Sequence, residues 1–371
     1  MNKRWLPLLI LLLLSLISAP CRPASEEAIS LDGFRVVLSP PVVDFPASIT
    51  FKIKVESDAD ISQIKLQYRV DRISLIPVTS VAFLEFEPAR KVETSWMWDM
   101  RETGGLPPGT EIEYWWLIAD ADGNEIETPL STLSFDDHHH SWSSLREDKV
   151  SLFWYQGSDA FAQDLMDAAQ EALERLAKDT GAQLEEKAKI YIYASSSALR
   201  GAMIYPQEWT GGVAFTEYGV IALGIRPDPD ALQWGKRAIA HELAHLVVHQ
   251  LTYSYYGVWL PTWLDEGLAI HAEGKDSWDD YERVLANTAA ENLISVKSLR
   301  SPFPADFEKA LLSYAQSYSL VKFLLTQPGG QENMLELLSL FKQGKGYDEA
   351  LRQVYGFDIE GLDALWQKYV K

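Results

Sequence analysis

"AIAHELAHLVVHQ", residues 238–250, sets two histidines four positions apart, with a glutamate directly after the first. On an α-helix that spacing puts His241 and His245 on one face, one turn apart, close enough to share an ion. Glu242 falls about a hundred degrees round the helix, where it can reach a water held at such an ion without ligating it. The intervening positions Ile239, Leu243, Leu246 and Val247 are apolar, as in a helix packed beneath a cleft. This is the HExxH pattern of zinc sites. It predicts Zn2+ held by both imidazoles with Glu242 as the adjacent base. A catalytic zinc has three protein ligands and one open position, so a third ligand must come from elsewhere in the chain.

Downstream, "PTWLDEGLAI" (261–270) opens a second apolar-patterned helix that carries Glu266. Here the sequence resembles the gluzincin metallopeptidases, in particular the aminopeptidase N group, and the peptidase MA-like proteins. Trp263, Leu264, Glu266, Gly267 and Ala269 stand where that group has its W-L-x-E-G-x-A segment. The resemblance implies that Glu266 is the third zinc ligand, that residues 148–371 form a zincin-like domain, and that the substrate is a peptide or protein. It also gives meaning to two further stretches. "WTGGVAF" (209–215) stands where zincins place the edge strand that pairs with an extended substrate. Gly211 and Gly212 there would let a peptide backbone approach Val213 and Ala214 closely, or would simply form a bulge. "LSYAQSYSLVKFL" (312–324) resembles the Y-x-K-G segment whose tyrosine steadies the oxyanion, which assigns that role to Tyr314. Gln316 and Ser317 replace the Lys-Gly, and Tyr318, one turn on, is the alternative. Aminopeptidase specificity is not supported. The family's Gly-Ala-Met-Glu-Asn motif survives only in part in "GAMIY" (201–205), and "GGVAF" has no acid.

Upstream, the hydrophobic period changes from helical to alternating. In "SITFKIKVE" (48–56), Ile49, Phe51, Ile53 and Val55 share one face; Ile64, Leu66, Tyr68 and Val70, then Ile112, Tyr114, Trp116 and Ile118, repeat the pattern. Turn signals separate the runs, which predicts a small antiparallel β-sandwich over residues 30–136. "PPGTEIEYWWLIADADGNEIETP" (107–129) resembles the closing strands of a fibronectin type III or immunoglobulin-like module. No acid, histidine and nucleophile cluster together in this segment. It is therefore expected to position enzyme or substrate, leaving a catalytic part that stands alone from about residue 145. Beyond "DDHHHSW" (136–142), strands are expected at "KVSLFWY" and "AKIYIYAS", a helix lies between them, and the chain is mostly helical from 230. The chain as a whole reads as an α+β multidomain protein. His138, His139 and His140 read as a solvated linker, His249 as buried or capping, and His271 as structural.

The chain of 371 residues carries a formal charge of −20, which repels phosphate backbones and argues against nucleic-acid partners. "MNKRWLPLLILLLLSLISAPC" (1–21) has the form of an export signal: a basic start, an apolar run shorter than a membrane span, then small residues. Cys21 stands where a lipoprotein carries its lipid, although Pro20 precedes it, so lipidation, cleavage and retention as an anchor stay open. These readings converge on an exported zinc metallopeptidase, secreted or attached to the cell surface through its N-terminus. The alternative is a catalytically silent zincin-fold protein that binds or scaffolds at the cell surface.

Overall fold

A computed structural model describes residues 27–73, 76–207, 210–254, 256–257 and 259–371. The export segment, Cys21 and Trp209 lie outside the described residues. Between Glu27 and Phe135 the chain runs through β1 (Glu27–Leu31), β2 (Phe34–Asp44), β3 (Ser48–Val70), β4 (Ser80–Phe83), β5 (Ala89–Asp99), a single helical turn α1 (Met100–Thr103), β6 (Thr110–Asp120), β7 (Glu125–Glu127) and β8 (Ser131–Phe135). Hydrogen bonding joins these eight strands into one connected antiparallel sheet, because β3 serves both of its halves. The first half of β3 lies between β2 and β5, and the second between β4 and β6. Between them the register slips near Glu56 to Ile61, an irregularity of the kind that bends a strand. The expected alternation holds: Ile49, Phe51, Ile53 and Val55 are buried and Lys52 is exposed. Across the bend Phe51 meets Tyr114 at 5.1 Å and Tyr68 meets Trp98 at 4.7 Å.

The second sheet is mixed, in the order β12 (Gly212–Phe215), β13 (Val220–Gly224), β11 (Ala188–Tyr193), β10 (Val150–Trp154), β9 (Ser143–Glu147). The three central strands are parallel and both edges antiparallel. Helix α2 (Asp159–Thr180) makes the crossover from β10 to β11. Ser158 Oγ caps its start by accepting from the Phe161 amide, and Gly181, with φ of 75°, ends it. After the short α3 (Ser196–Gly201), helices α4 (Pro229–Thr252), α5 (Thr262–Glu273), α6 (Lys275–Ala286), α7 (Phe307–Thr326), α8 (Gly330–Lys342), α9 (Tyr347–Tyr355) and α10 (Ile359–Tyr369) complete the chain. The long α4 starts at Asp228, which caps the Ala231 amide, with Pro229 in its first turn. Among the described residues no helix is long and apolar enough to cross a membrane.

Both faces of this second sheet are buried, by different partners. Ile190, Ile192, Ile221 and Leu223 join the core under α2 and α4. Tyr191, Tyr193, Val220 and Ala222 join the core of the eight-stranded sheet. Lys189 Nζ donates to the Gly109 carbonyl at 2.5 Å, and the Ile73 amide to the Glu217 carbonyl at 2.6 Å. A side chain at Gly109 would collide with the Tyr191 hydroxyl. This shared core runs against a catalytic part that stands alone. His140 is likewise no part of a solvated linker, because its ring stacks on Tyr155 at 3.7 Å. Beside it the buried Asp137 accepts from the His139 amide and ring.

Candidate metal centre

Helix α4 buries Ile239, Leu243, Leu246 and Val247 completely and turns the half-buried His241, Glu242 and His245 away from that core. Helix α5 crosses it and supplies Glu266. The α5 backbone lies so close to α7 that a side chain at Gly267 would strike the Ser317 carbonyl and stand 2.6 Å from Val321. The glycine after the glutamate therefore fixes the depth at which Glu266 is presented. His241 Nε2 lies 3.3 Å and His245 Nε2 3.7 Å from Glu266 Oε2, and one ligand atom from each residue fits within 4.8 Å of the others. Glu266 Oε2 is buried and has no hydrogen-bond partner. A buried carboxylate oxygen without a donor is costly, and two imidazoles with one carboxylate make a donor set suited to a divalent metal. The three residues fit a metal ion, and among the described residues they alone group in this way.

Two carboxylates that sequence reasoning missed stand behind the candidate ligands. His241 Nδ1 lies 2.8 Å from Glu273 Oε1, and Ser277 Oγ donates to Glu273 Oε2. Since a carboxylate only accepts, Nδ1 carries a hydrogen toward Glu273, and Nε2 is the atom that would present its lone pair to a bound ion. His245 Nδ1 lies 3.1 Å from Asp265 Oδ2, in ion-pair rather than well-aligned hydrogen-bond geometry. Burial opposes charge on both rings, but the surrounding carboxylates outweigh it. Glu266 and Glu273 hold His241 well above the ordinary histidine range, and Asp265 and Glu266 raise His245 to about 9. The two rings therefore sit in a strongly negative enclosure, the electrostatic setting of a cation. Glu273 was legible in principle: it stands seven residues, two helical turns, beyond Glu266 on the same face of α5.

The cleft has two lobes that meet at Glu242. A lobe of about 520 Å³ is bounded by Trp234, Arg237, His241, Tyr281 and Tyr314. The other, about 440 Å³, is bounded by Gly212, Val213, Ala214, His245, His249 and Trp259. Strand β12 is the outermost of its sheet. The space at its glycines is taken by the chain's own side chains: a Cβ at Gly212 would stand 2.5 Å from Leu223 Cδ2 and 3.2 Å from Glu242 Oε1, and one at Gly211 3.2 Å from the Trp234 ring. The structure separates the two tyrosines of α7. Tyr314 faces the cleft, edge-on to Phe303, and burial, with Glu266 and Glu242 nearby, pushes its phenol up to about 12, so it keeps its proton. Tyr318 is buried elsewhere, stacked on Trp278 and donating to Glu282 at 3.2 Å. Gln316, where the resembled segment has Lys, is buried and bonded through both its amide atoms to the Ile294 backbone. Tyr281, a second cleft phenol also raised by burial, had no signal in the sequence beyond being an aromatic on a helix. His271 is not among the three grouped residues; it lies 3.0 Å from Asp179 and stacks on Trp278. His249 is not among the three grouped ligands.

A family model described as "Peptidase MA superfamily" matches residues 168–371. No curated protein matches the sequence. Among solved structures the chain is similar to aminopeptidase A of Legionella pneumophila, with 10% identity and a TM-score of 0.41, over 88% of this chain and 49% of that one. It is also similar to an aminopeptidase N family protein of Idiomarina loihiensis, with 12% identity and a TM-score of 0.40, over 86% and 73% of the two chains. A shorter likeness, to OgpA of Akkermansia muciniphila in complex with an O-glycopeptide, has 14% identity and a TM-score of 0.21, over 27% and 28%. The chain thus spans about half the length of the Legionella protein and less of OgpA.

Proposed function

Because the chain belongs to the peptidase MA superfamily, we propose that it is an exported zinc metallopeptidase of the gluzincin type, in which His241, His245 and Glu266 hold the zinc. The observation that carries the reading is the buried, partnerless Glu266 Oε2 facing both imidazole Nε2 atoms, with Glu242 at the junction of the two lobes. When bound, zinc supplies Lewis acidity, making a water nucleophilic near neutral pH and polarising a carbonyl. Glu242 takes the water's proton on its carboxylate and passes it to the leaving nitrogen. Tyr314 donates its hydroxyl hydrogen to the oxygen on which negative charge grows, an interaction stronger in the transition state than in the substrate. The outer edge of β12 orients an extended peptide by backbone pairing.

Export rests on the N-terminal segment, and the eight-stranded sheet is the immunoglobulin-like or fibronectin III-like part of this reading. The deciding experiment pairs metal analysis of the exported portion with mass spectrometry of a peptide-mixture digest, on the parent and on Glu242→Gln. One zinc per chain in both, with cleavage at least about a hundredfold lower in the variant, is expected. Zinc in a parent that cleaves no peptide would instead favour the silent scaffold.

A further inference from the structure

The two lobes differ in charge. Among the described residues, the lobe lined by His245, Asp265 and Glu266 has no lysine or arginine in its wall. Two arginines line the other, Arg237 from α4 and Arg283 from α6. Both lean on one carboxylate: Arg237 Nη1 lies 3.1 Å from Asp280 Oδ2, and Arg283 Nη1 3.3 Å from Asp280 Oδ1. Glu242 and Glu273 also line this lobe, but Glu273 is already engaged by His241 and Ser277, and Glu242 stands where this lobe meets the other. Among the described residues the two guanidiniums therefore share Asp280, and each keeps N–H donors that this carboxylate does not fill. All three side chains are partly exposed, so the donors are within reach of a ligand. A local cationic rim is unexpected on a chain of charge −20, and planar guanidiniums are suited to carboxylate recognition.

The rim also has a fixed distance from the chemistry. Arg237 precedes His241 by four residues, so it stands about one helical turn away on the same face, about 6 Å along the axis. An extended peptide advances about 3.3–3.6 Å per residue. A group held at Arg237 therefore belongs to one of the first two or so residues on that side of the bond being cut. Trp234 and Tyr281 wall the lobe beside the arginines, leaving the polar end of a bound side chain at the rim and its apolar stem against the rings.

The geometry points to a carboxylate-recognition subsite formed by Arg237 and Arg283, which selects peptides with an acidic side chain or a free C-terminal carboxylate on the Arg237 side of the scissile bond. This rests on the peptidase reading for its orientation. Binding at the subsite does not require turnover, and the test uses that independence. Zinc-loaded Glu242→Gln protein is titrated with short peptides in matched pairs, Glu against Gln at each position, and free against amidated C-terminus, with and without the double substitution Arg237→Gln and Arg283→Gln. The parent is assayed for cleavage of the same set.

The expected result is about tenfold tighter binding of the acidic or free-acid member, weakening with added salt and lost in the double arginine variant, whose zinc content is unchanged. Preference confined to the Glu/Gln pairs assigns the carboxylate to a side chain, and preference confined to the free-acid pairs assigns it to the chain terminus. Equal binding of every pair, or a preference that survives the double substitution, overturns the subsite even if the parent cleaves peptides well. Selective binding without any cleavage by the parent keeps the subsite and sinks the peptidase reading.

Discussion

Replacing Glu273 by Gln isolates the charge behind the first histidine. In the parent the Glu273 side chain is about nine-tenths buried and accepts from His241 Nδ1 at 2.8 Å, while Ser277 supports its other oxygen. Gln is nearly isosteric. Its carbonyl can still accept from Nδ1, and its amide can donate to Ser277, so the number of hydrogen bonds is kept and only the charge assistance is lost. Charged hydrogen bonds contribute about 1.5–3 kcal/mol against about 0.5–1.5 for neutral ones, a difference of about 1.4 kcal/mol, or tenfold in zinc affinity. Glu273→Ala also removes the acceptor and should approach about a hundredfold, the upper end for groups that orient metal ligands. Asp265→Asn is the internal control. Its 3.1 Å approach to His245 lacks hydrogen-bond alignment, so only its through-space charge is lost and the cost should be smaller than that of Glu273→Gln. The assay is zinc competition against a fluorescent chelator at fixed pH, with melting temperature measured in parallel. If Glu273→Gln bound zinc as tightly as the parent while Asp265→Asn lost affinity, the argument from alignment would fail.

The other substitutions probe packing and chemistry separately. Tyr314→Phe should lower turnover by about a hundredfold or more with zinc content and stability intact; Tyr318→Phe should lose only stability, since its hydroxyl bonds Glu282 away from the cleft, and the reverse pattern would reassign the oxyanion role. Gly267→Ala would push a methyl group into the Ser317 carbonyl and Val321, so it should destabilise the fold by about 1–3 kcal/mol, read as a shift in denaturant midpoint; an unshifted midpoint would show that α5 and α7 can separate freely. A chain beginning near residue 145 should melt far below the full protein and expose apolar surface to a dye, because Tyr191, Tyr193, Val220 and Ala222 lose their cover; a soluble fragment with the parent melting temperature would contradict the shared core.

What was legible in the sequence follows from the range over which each signal acts. The helix that carries both histidines is a local pattern, so four-residue spacing and an apolar back were enough to put His241, Glu242 and His245 on its cleft side. Glu266 needed the neighbouring Trp-Leu and Gly, and the structure supplies the reason for that glycine in the approach of α5 to α7. Tyr314 and Tyr318 are one turn apart, and helical periodicity gives them the same face; only Phe303 on one side and Trp278 on the other separate the cleft from the core. Glu273 lay within reach of the same periodicity, since the i to i+7 spacing from Glu266 marks the site face twice. The shared core had a visible sign in "AKIYIY", which is apolar on both faces, the mark of a strand covered on both sides. What no local pattern could show is which partner covers the tyrosine face. His140, in a polar stretch, stacks on Tyr155 through a contact that only the packed sheets create.

The sheet covered on both sides also bears on how sequence variation in this protein would be read. A selection scored only by substrate cleavage cannot tell a lost ligand from a lost lining, because residues as early as Phe34, Ile49 and Ile112 sit in one continuous apolar cluster with Tyr193 and Val220. Damaging variants should therefore scatter through the first third of the chain, far in sequence from His241, and would look like distant control elements. Abundance measured beside activity should sort them: a packing lesion is expected to lower both together, and a change at Glu242, under the proposed function, activity alone.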